Sequence, residues 1–150
     1  MDNFDGADEI RPGNFIFYDL QQWRNGSCSL DKIAVAMACP VVAKNEERKE
    51  IVIYGGGVHF SKDSFVMENG VTAFGYIVNL NESGWDLPDK KSYVSSLSQE
   101  HGIIKASDEL FCKAKIGDVV GVLPAHSCMT VNCMGRFHTL EGEELSVMQN

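Results

Sequence analysis

At 150 residues the chain has the length of one domain, 1–150, able to bury about 68–70% of the surface that its unfolded form exposes. With 44% hydrophobic and 23% charged residues it lies inside the globular range, which excludes a disordered or collagen-like chain. Thirteen Lys plus Arg against 21 Asp plus Glu give a net charge of −8, which repels a phosphate backbone and an anionic membrane surface, so neither nucleic acid nor a membrane is an expected partner.

The opening MDNFDGADE is acidic where a secretory signal needs a basic start, which makes the cytoplasm the expected location. Residues 1 to 9 and 141 to 144, the acidic ends, are expected to fray. Between them, short β-branched and aromatic runs are punctuated by Gly, Asn and Asp: 14 to 20, 33 to 43, 50 to 54, 72 to 80, 93 to 98, 116 to 124, 136 to 140 and 144 to 148. These candidate strands predict a mainly β domain, a small β-barrel or sandwich with at most one or two short helices. The apolar run from Ile33 to Ala43 contains Pro40 and falls well short of the ~20 residues that cross a bilayer. Pro40 places that run at a sheet edge or at a bulge. Residues 107 to 115, SDELFCKAK, predict a short helix with Ser107 as N-cap, Asp108 and Glu109 in its first turn, and an end near Gly117. EGEE after RFHTL reads as a hairpin turn that pairs the last two strands.

Five cysteines, an odd and loosely spaced set, read as reduced thiols or metal ligands rather than a disulfide framework. In LPAHSCMTVNC, Pro124 stops a strand, and His126 and Cys128 follow with one residue between them. In extended chain the two share a face, and imidazole nitrogen with thiolate sulfur is a ligand mix that zinc favours. A hydrogen-bonded histidine beside an inert buried cysteine fits the same spacing. Cys133 and His138 would close a four-ligand structural site, whereas two protein ligands alone would leave positions for substrate and water. YGGGVHFSKD lacks the phosphate-loop order and reads as a tight turn using positive φ, with His59 exposed or packed. SQEHG sets Glu100 beside His101, either an acid/base pair or a turn before GIIKA. Tyr18 and Gln22, in FYDLQQ, are candidates to line a pocket.

EIRPGNFIFYDLQQ (9 to 22), YGGGVHFSKD (54 to 63), SLSQEHG (96 to 102) and GDVVGVLPAHSCMTVN (117 to 132) together resemble the C-terminal domain of the D-serine dehydratase and D-threonine aldolase family, in order and over nearly the whole chain. The resemblance implies an alanine racemase-like enzyme whose N-terminal barrel holds pyridoxal phosphate on a lysine and whose C-terminal β domain packs against it. This chain resembles the second domain only. A barrel needs about 250 residues, and none of its lysines stands in the family's cofactor-lysine context, so no catalytic residue is assigned within the chain. The resemblance further implies His126 and Cys128 as zinc ligands, with Thr130, Asn132, Tyr18, Gln22, Glu100 and His101 as candidates for the substrate pocket or for the groups around the ligands. The substrate implied is a D-amino acid with a β-hydroxyl. The HxC form is closer to the dehydratase branch than to the aldolase branch, while YGGGVHFSKD departs from the family's more typical form. Cys133 and His138 lie outside the family's metal pattern.

Two roles follow from this reading. One is half of a lyase site that needs a barrel partner in cis or in trans. The other is a stand-alone β module that binds a partner or forms homo-oligomers through an apolar face.

Overall fold

The computed structural model describes residues 5–11 and 13–147. Residues 1–4 of the acidic start, Pro12 of the first motif, and Met148 of the last predicted strand lie outside the described residues. In chain order the strands are β1 (Met37–Asn45), β2 (Glu50–Tyr54), β3 (Phe65–Val66), β4 (Thr72–Ala73), β5 (Gly75–Val78), β6 (Leu80–Asn81), β7 (Gly84–Trp85), β8 (Tyr93–Leu97), β9 (His101–Lys105), β10 (Val119–Pro124), β11 (Arg136–His138) and β12 (Glu144–Ser146). The helices are α1 (Leu20–Arg24), α2 (Gly57–Phe60), α3 (Asp108–Lys113) and α4 (Ser127–Met134).

Six strands close an antiparallel barrel in the order β1-β10-β5-β8-β9-β2. Its interior follows from the period-two burial of Cys39 and Val41, Ile51 and Ile53, and Val120 and Val122, joined by Ile77, Val94 and Ile104. The opposite faces of β5 and β10 are also buried, because Tyr76, Val78 and Leu123 pack against Leu20 of α1 and Ile33. That second layer brings the segment before β1 onto the end of β10, where the candidate ligands lie. No helix among the described residues is long and apolar enough to cross a membrane.

The mainly β expectation holds, with the barrel rather than the sandwich formed, and residues 33 to 43, 50 to 54, 93 to 98 and 116 to 124 each supply a barrel strand. Helices number four among the described residues against the one or two expected, each of eight residues or fewer. Pro40 sits inside the closed sheet opposite Val119, so the edge alternative fails, and the register shift between Val41 and Ala43 beside it is the bulge alternative. Ser107 caps α3 as expected, its hydroxyl accepting from the Leu110 amide. β11 and β12 pair as the predicted hairpin, and of the acidic residues 141 to 144 the first three lie in its turn and Glu144 opens β12, so they are not a frayed end.

Residues 14 to 20 are not a strand. Asp19 ends the run by capping α1, its carboxylate accepting from the Gln22 amide at 2.8 Å, while Tyr18 before it takes a left-handed φ of 52°. The three glycines of YGGGVHF also differ from expectation, since none has positive φ. Gly56 is there for close approach: a Cβ on it would lie 2.5 Å from the backbone of Glu100 and His101.

Candidate functional site

β10 delivers the chain to the site. Its last residue, Pro124, is followed by Ala125, which is tied to Phe74 by its amide and to Gln21 by its carbonyl. His126 then stands as the N-cap of α4 in extended backbone, and the helix runs until Gly135, which ends it with a φ of 72° and an N–H that donates to the Val131 carbonyl. The assumption of extended chain through His126 and Cys128 is therefore corrected: the turn into helix begins at Ser127, and Cys128 projects from the first turn of α4, exposed.

The N-termini of α1 and α4 converge on one carboxylate. Asp19 is fully buried and accepts from the Gln22 amide at Oδ1, at 2.8 Å. At Oδ2 it accepts from the Ser127 amide at 3.0 Å and from Asn14 Nδ2 at 2.5 Å, and His126 Nδ1 lies 2.9 Å away. Two helix N-termini turned toward the same side chain offset the cost of burying a carboxylate. The His126 ring itself remains 28% exposed.

Thr130, one turn further along α4, is buried, with its hydroxyl 3.1 Å from the His126 carbonyl and 3.4 Å from that of Phe60 at the end of α2. This fastens α4 to α2. Tyr18 and Gln22, half-buried, flank Asp19 at the start of α1. Asn132 and Cys133 are exposed on α4, and His138 on β11 faces Glu144 at 3.8 Å. Among the described residues no group of three or more His, Cys, Asp or Glu side chains is placed to hold a metal. His126, Cys128, Cys133 and His138 thus do not gather into the closed four-ligand site.

Glu100 and His101 fall in a second cluster, exposed at the β8–β9 turn. His101 does not lie in a turn throughout, since it opens β9, and its ring meets the edge of Tyr54 with 5.8 Å between centroids. Tyr54 in turn contacts His59 at 4.9 Å. α2 joins the clusters: the amides of Gly57 and Val58 bond the carbonyls of Ser98 and Gln99, while Phe60 receives Thr130. The sequence reading missed Asp19, although Asp before LQQ carries an N-cap signal.

A groove of about 1120 Å³ runs alongside α4, lined by Ile16, Trp85, Met134, Phe137, Leu140 and Leu145 among others. Its lining is mainly apolar, and Ile16 and Leu140 are each more than 60% exposed.

The cysteines differ in burial, with Cys28 half-buried between the two extremes. The Cys39 thiol is pushed up to about 12 by burial inside the barrel, whereas Cys112, Cys128 and Cys133 are exposed. Brief treatment of the native chain with iodoacetamide, followed by peptide mass spectrometry, is expected to label those three and to spare Cys39 until denaturant is added. Native labelling of Cys39 at the rate of Cys112 would contradict the closed barrel.

Comparison with known proteins places these features in context. A family model described as "Putative serine dehydratase domain" matches residues 34–140. The D-serine dehydratase of Dictyostelium discoideum is 30% identical over 141 residues, covering 92% of this chain and 34% of that protein. The D-threo-3-hydroxyaspartate dehydratase of Delftia sp. (strain HT23) is 24% identical over 131 residues, covering 84% of this chain and 34% of that protein. Among solved structures, an alanine racemase-like protein from Idiomarina loihiensis superposes with a TM-score of 0.72 at 24% identity, covering 85% of this chain and 34% of that one. A cysteine-to-alanine mutant of D-threo-3-hydroxyaspartate dehydratase, solved in a metal-free form, gives a TM-score of 0.72 at 17% identity, covering 87% and 35%. These structures share the fold. The chain spans about a third of the length of the relatives it matches.

Proposed function

Because this chain belongs to the serine dehydratase domain family, we propose that it is the metal-binding β half of a zinc- and pyridoxal-phosphate-dependent lyase site for D-amino acids with a β-hydroxyl, inactive until a barrel domain joins it in cis or in trans. The observation that carries this reading is the head of α4, where His126 is braced through Nδ1 against buried Asp19 and exposed Cys128 follows on the first helical turn. Imidazole and thiolate suit zinc, and the sulfur favours it over harder divalent ions. Two protein ligands leave coordination positions for other groups, as a catalytic site requires. Bound there, zinc would act as a Lewis acid toward the substrate's β-hydroxyl.

The chain's own residues do the holding. His126 and Cys128 bind the metal, Thr130 fixes the turn that presents them, and Tyr18, Gln22, Glu100, His101 and Asn132 are proposed for the pocket around substrate. Glu100 and His101 stand apart from the ligand pair but are connected to it through α2. Dehydration is favoured over carbon–carbon cleavage because the two sequence relatives named above are dehydratases. Pyridoxal phosphate belongs, on this reading, to the barrel partner. The apolar groove beside α4 supports a covered face and also favours the second reading, a non-catalytic β module that associates with a partner or with itself.

Elemental analysis of the purified chain after equilibration with zinc at neutral pH separates the two. About one zinc per chain, lost in both His126→Ala and Cys128→Ala, is expected for a two-ligand site. Unchanged metal content in His126→Ala would refute the ligand assignment, and no zinc in any of the three proteins would leave the β module.

A further inference from the structure

We infer that Asp19 is a positioning residue that holds His126 in the Nδ1–H tautomer and so presents the Nε2 lone pair to a metal, an inference that rests on the reading of His126 and Cys128 as a metal pair. The argument is one of donors and acceptors. Oδ1 of Asp19 accepts from the Gln22 amide, and Oδ2 accepts from the Ser127 amide. Backbone N–H groups can only donate, so both oxygens are committed as acceptors. Asn14 Nδ2 adds a further donor at Oδ2. The bond to the imidazole at 2.9 Å therefore runs from Nδ1–H to the carboxylate, which leaves Nε2 without a proton in the neutral ring.

Burial makes the arrangement rigid. Asp19 is 0% exposed and pinned from three segments of chain: Asn14 ahead of it, α1 after it, and α4 more than 100 residues later. It cannot rotate away from His126 without stripping the first amide of α4 or the cap of α1. Ligating histidines commonly donate their second ring N–H to a carboxylate, which fixes ring orientation and raises ligand basicity. Here the same carboxylate also caps the helix that carries Cys128, so one side chain sets the geometry of both ligands.

A tautomer readout separates this role from a structural one. Long-range ¹H–¹⁵N correlation on the metal-free, wild-type chain should find the neutral His126 ring as the Nδ1–H tautomer; a predominant Nε2–H tautomer would overturn the inference. Asp19→Asn should lower zinc affinity about 10–100-fold, as outer-shell substitutions do, and should shift the tautomer. Asn14→Ala, which removes a neighbour of the same carboxylate and leaves the imidazole bond, should bind zinc nearly as wild type. Wild-type zinc affinity in a folded Asp19→Asn would overturn the proposal. If Asp19→Asn fails to fold, the tautomer in the wild-type chain decides alone. Zinc binding insensitive to His126→Ala would instead remove the metal-pair reading beneath it.

Discussion

Ile104→Ala should destabilise the chain by about 2–5 kcal/mol, the range for removing a large aliphatic side chain from a packed core. Ile104 is fully buried in β9, opposite Ile51 of β2 on one side and Val94 of β8 on the other, so its side chain fills the barrel where three strands meet. The closed sheet cannot collapse onto the missing volume without shifting register, which would turn every inward side chain outward. The loss should read as a lower urea midpoint at unchanged m-value. Ile116→Ala, at a position 66% exposed, should move stability by no more than about 0.5 kcal/mol. Equal effects at the two positions would mean that the barrel interior is not the core.

Strand runs were legible where burial alternates. EIVIY became β2 because Ile51 and Ile53 face inward, and the run ending in VLP became β10 with Val120 and Val122 inward. Closure into a barrel was not legible, because it depends on which strands pair across long sequence separations, as β1 with β10 and β2 with β9. β9 was hidden by Gly102, which is there because a Cβ would lie 2.7 Å from the Gly55 carbonyl. α4 escaped for a different reason: SCMTVNCM is poor in strong helix formers, and a histidine is a weak N-cap. Tertiary contacts build it, through buried Thr130 and Val131 and through Asp19 receiving its first amide.

The candidate site divides along similar lines. The proposed ligand pair, His126 and Cys128, could be picked out because His and Cys near the end of a strand are chemically conspicuous, and four motifs in order supplied the family. Geometry could not be read. One residue between His126 and Cys128 means one thing in extended chain and another at a helix start, where Asp19, more than 100 residues earlier, accepts the first helical amide. Asp19 itself was obscured by the aromatic run before it, which imitates a strand until the cap breaks it.

Gly56→Ala should be as damaging as a core truncation, though Gly56, itself buried, lies between β2 and α2 rather than in the barrel interior. Its backbone φ of −116° suits any residue, so conformational strain is not the cause. Space is. The added methyl would sit 2.5 Å from Glu100 C and His101 N and 2.6 Å from Gln99 O, all of them backbone atoms that no rotamer change can move. Three hydrogen bonds hold this contact closed, from the amides of Gly55, Gly57 and Val58 to the carbonyls of Glu100, Ser98 and Gln99. Parting the two segments by the required ångström would weaken all three, at about 1 kcal/mol each, on top of about 1–3 kcal/mol for overpacking. The displaced pieces are α2, which carries Phe60 into the core and receives Thr130, and the turn that carries Glu100 and His101. Damage should therefore reach both clusters, as a melting temperature lowered by many degrees and shifted His101 and His126 ring resonances in any folded fraction. Gly13→Ala, where nothing lies within 4 Å of the new methyl and φ is not positive, should melt as wild type. A Gly56→Ala chain with wild-type melting and unshifted His101 resonances would show that the turn and α2 are not in contact, and the link between the two clusters would go with it.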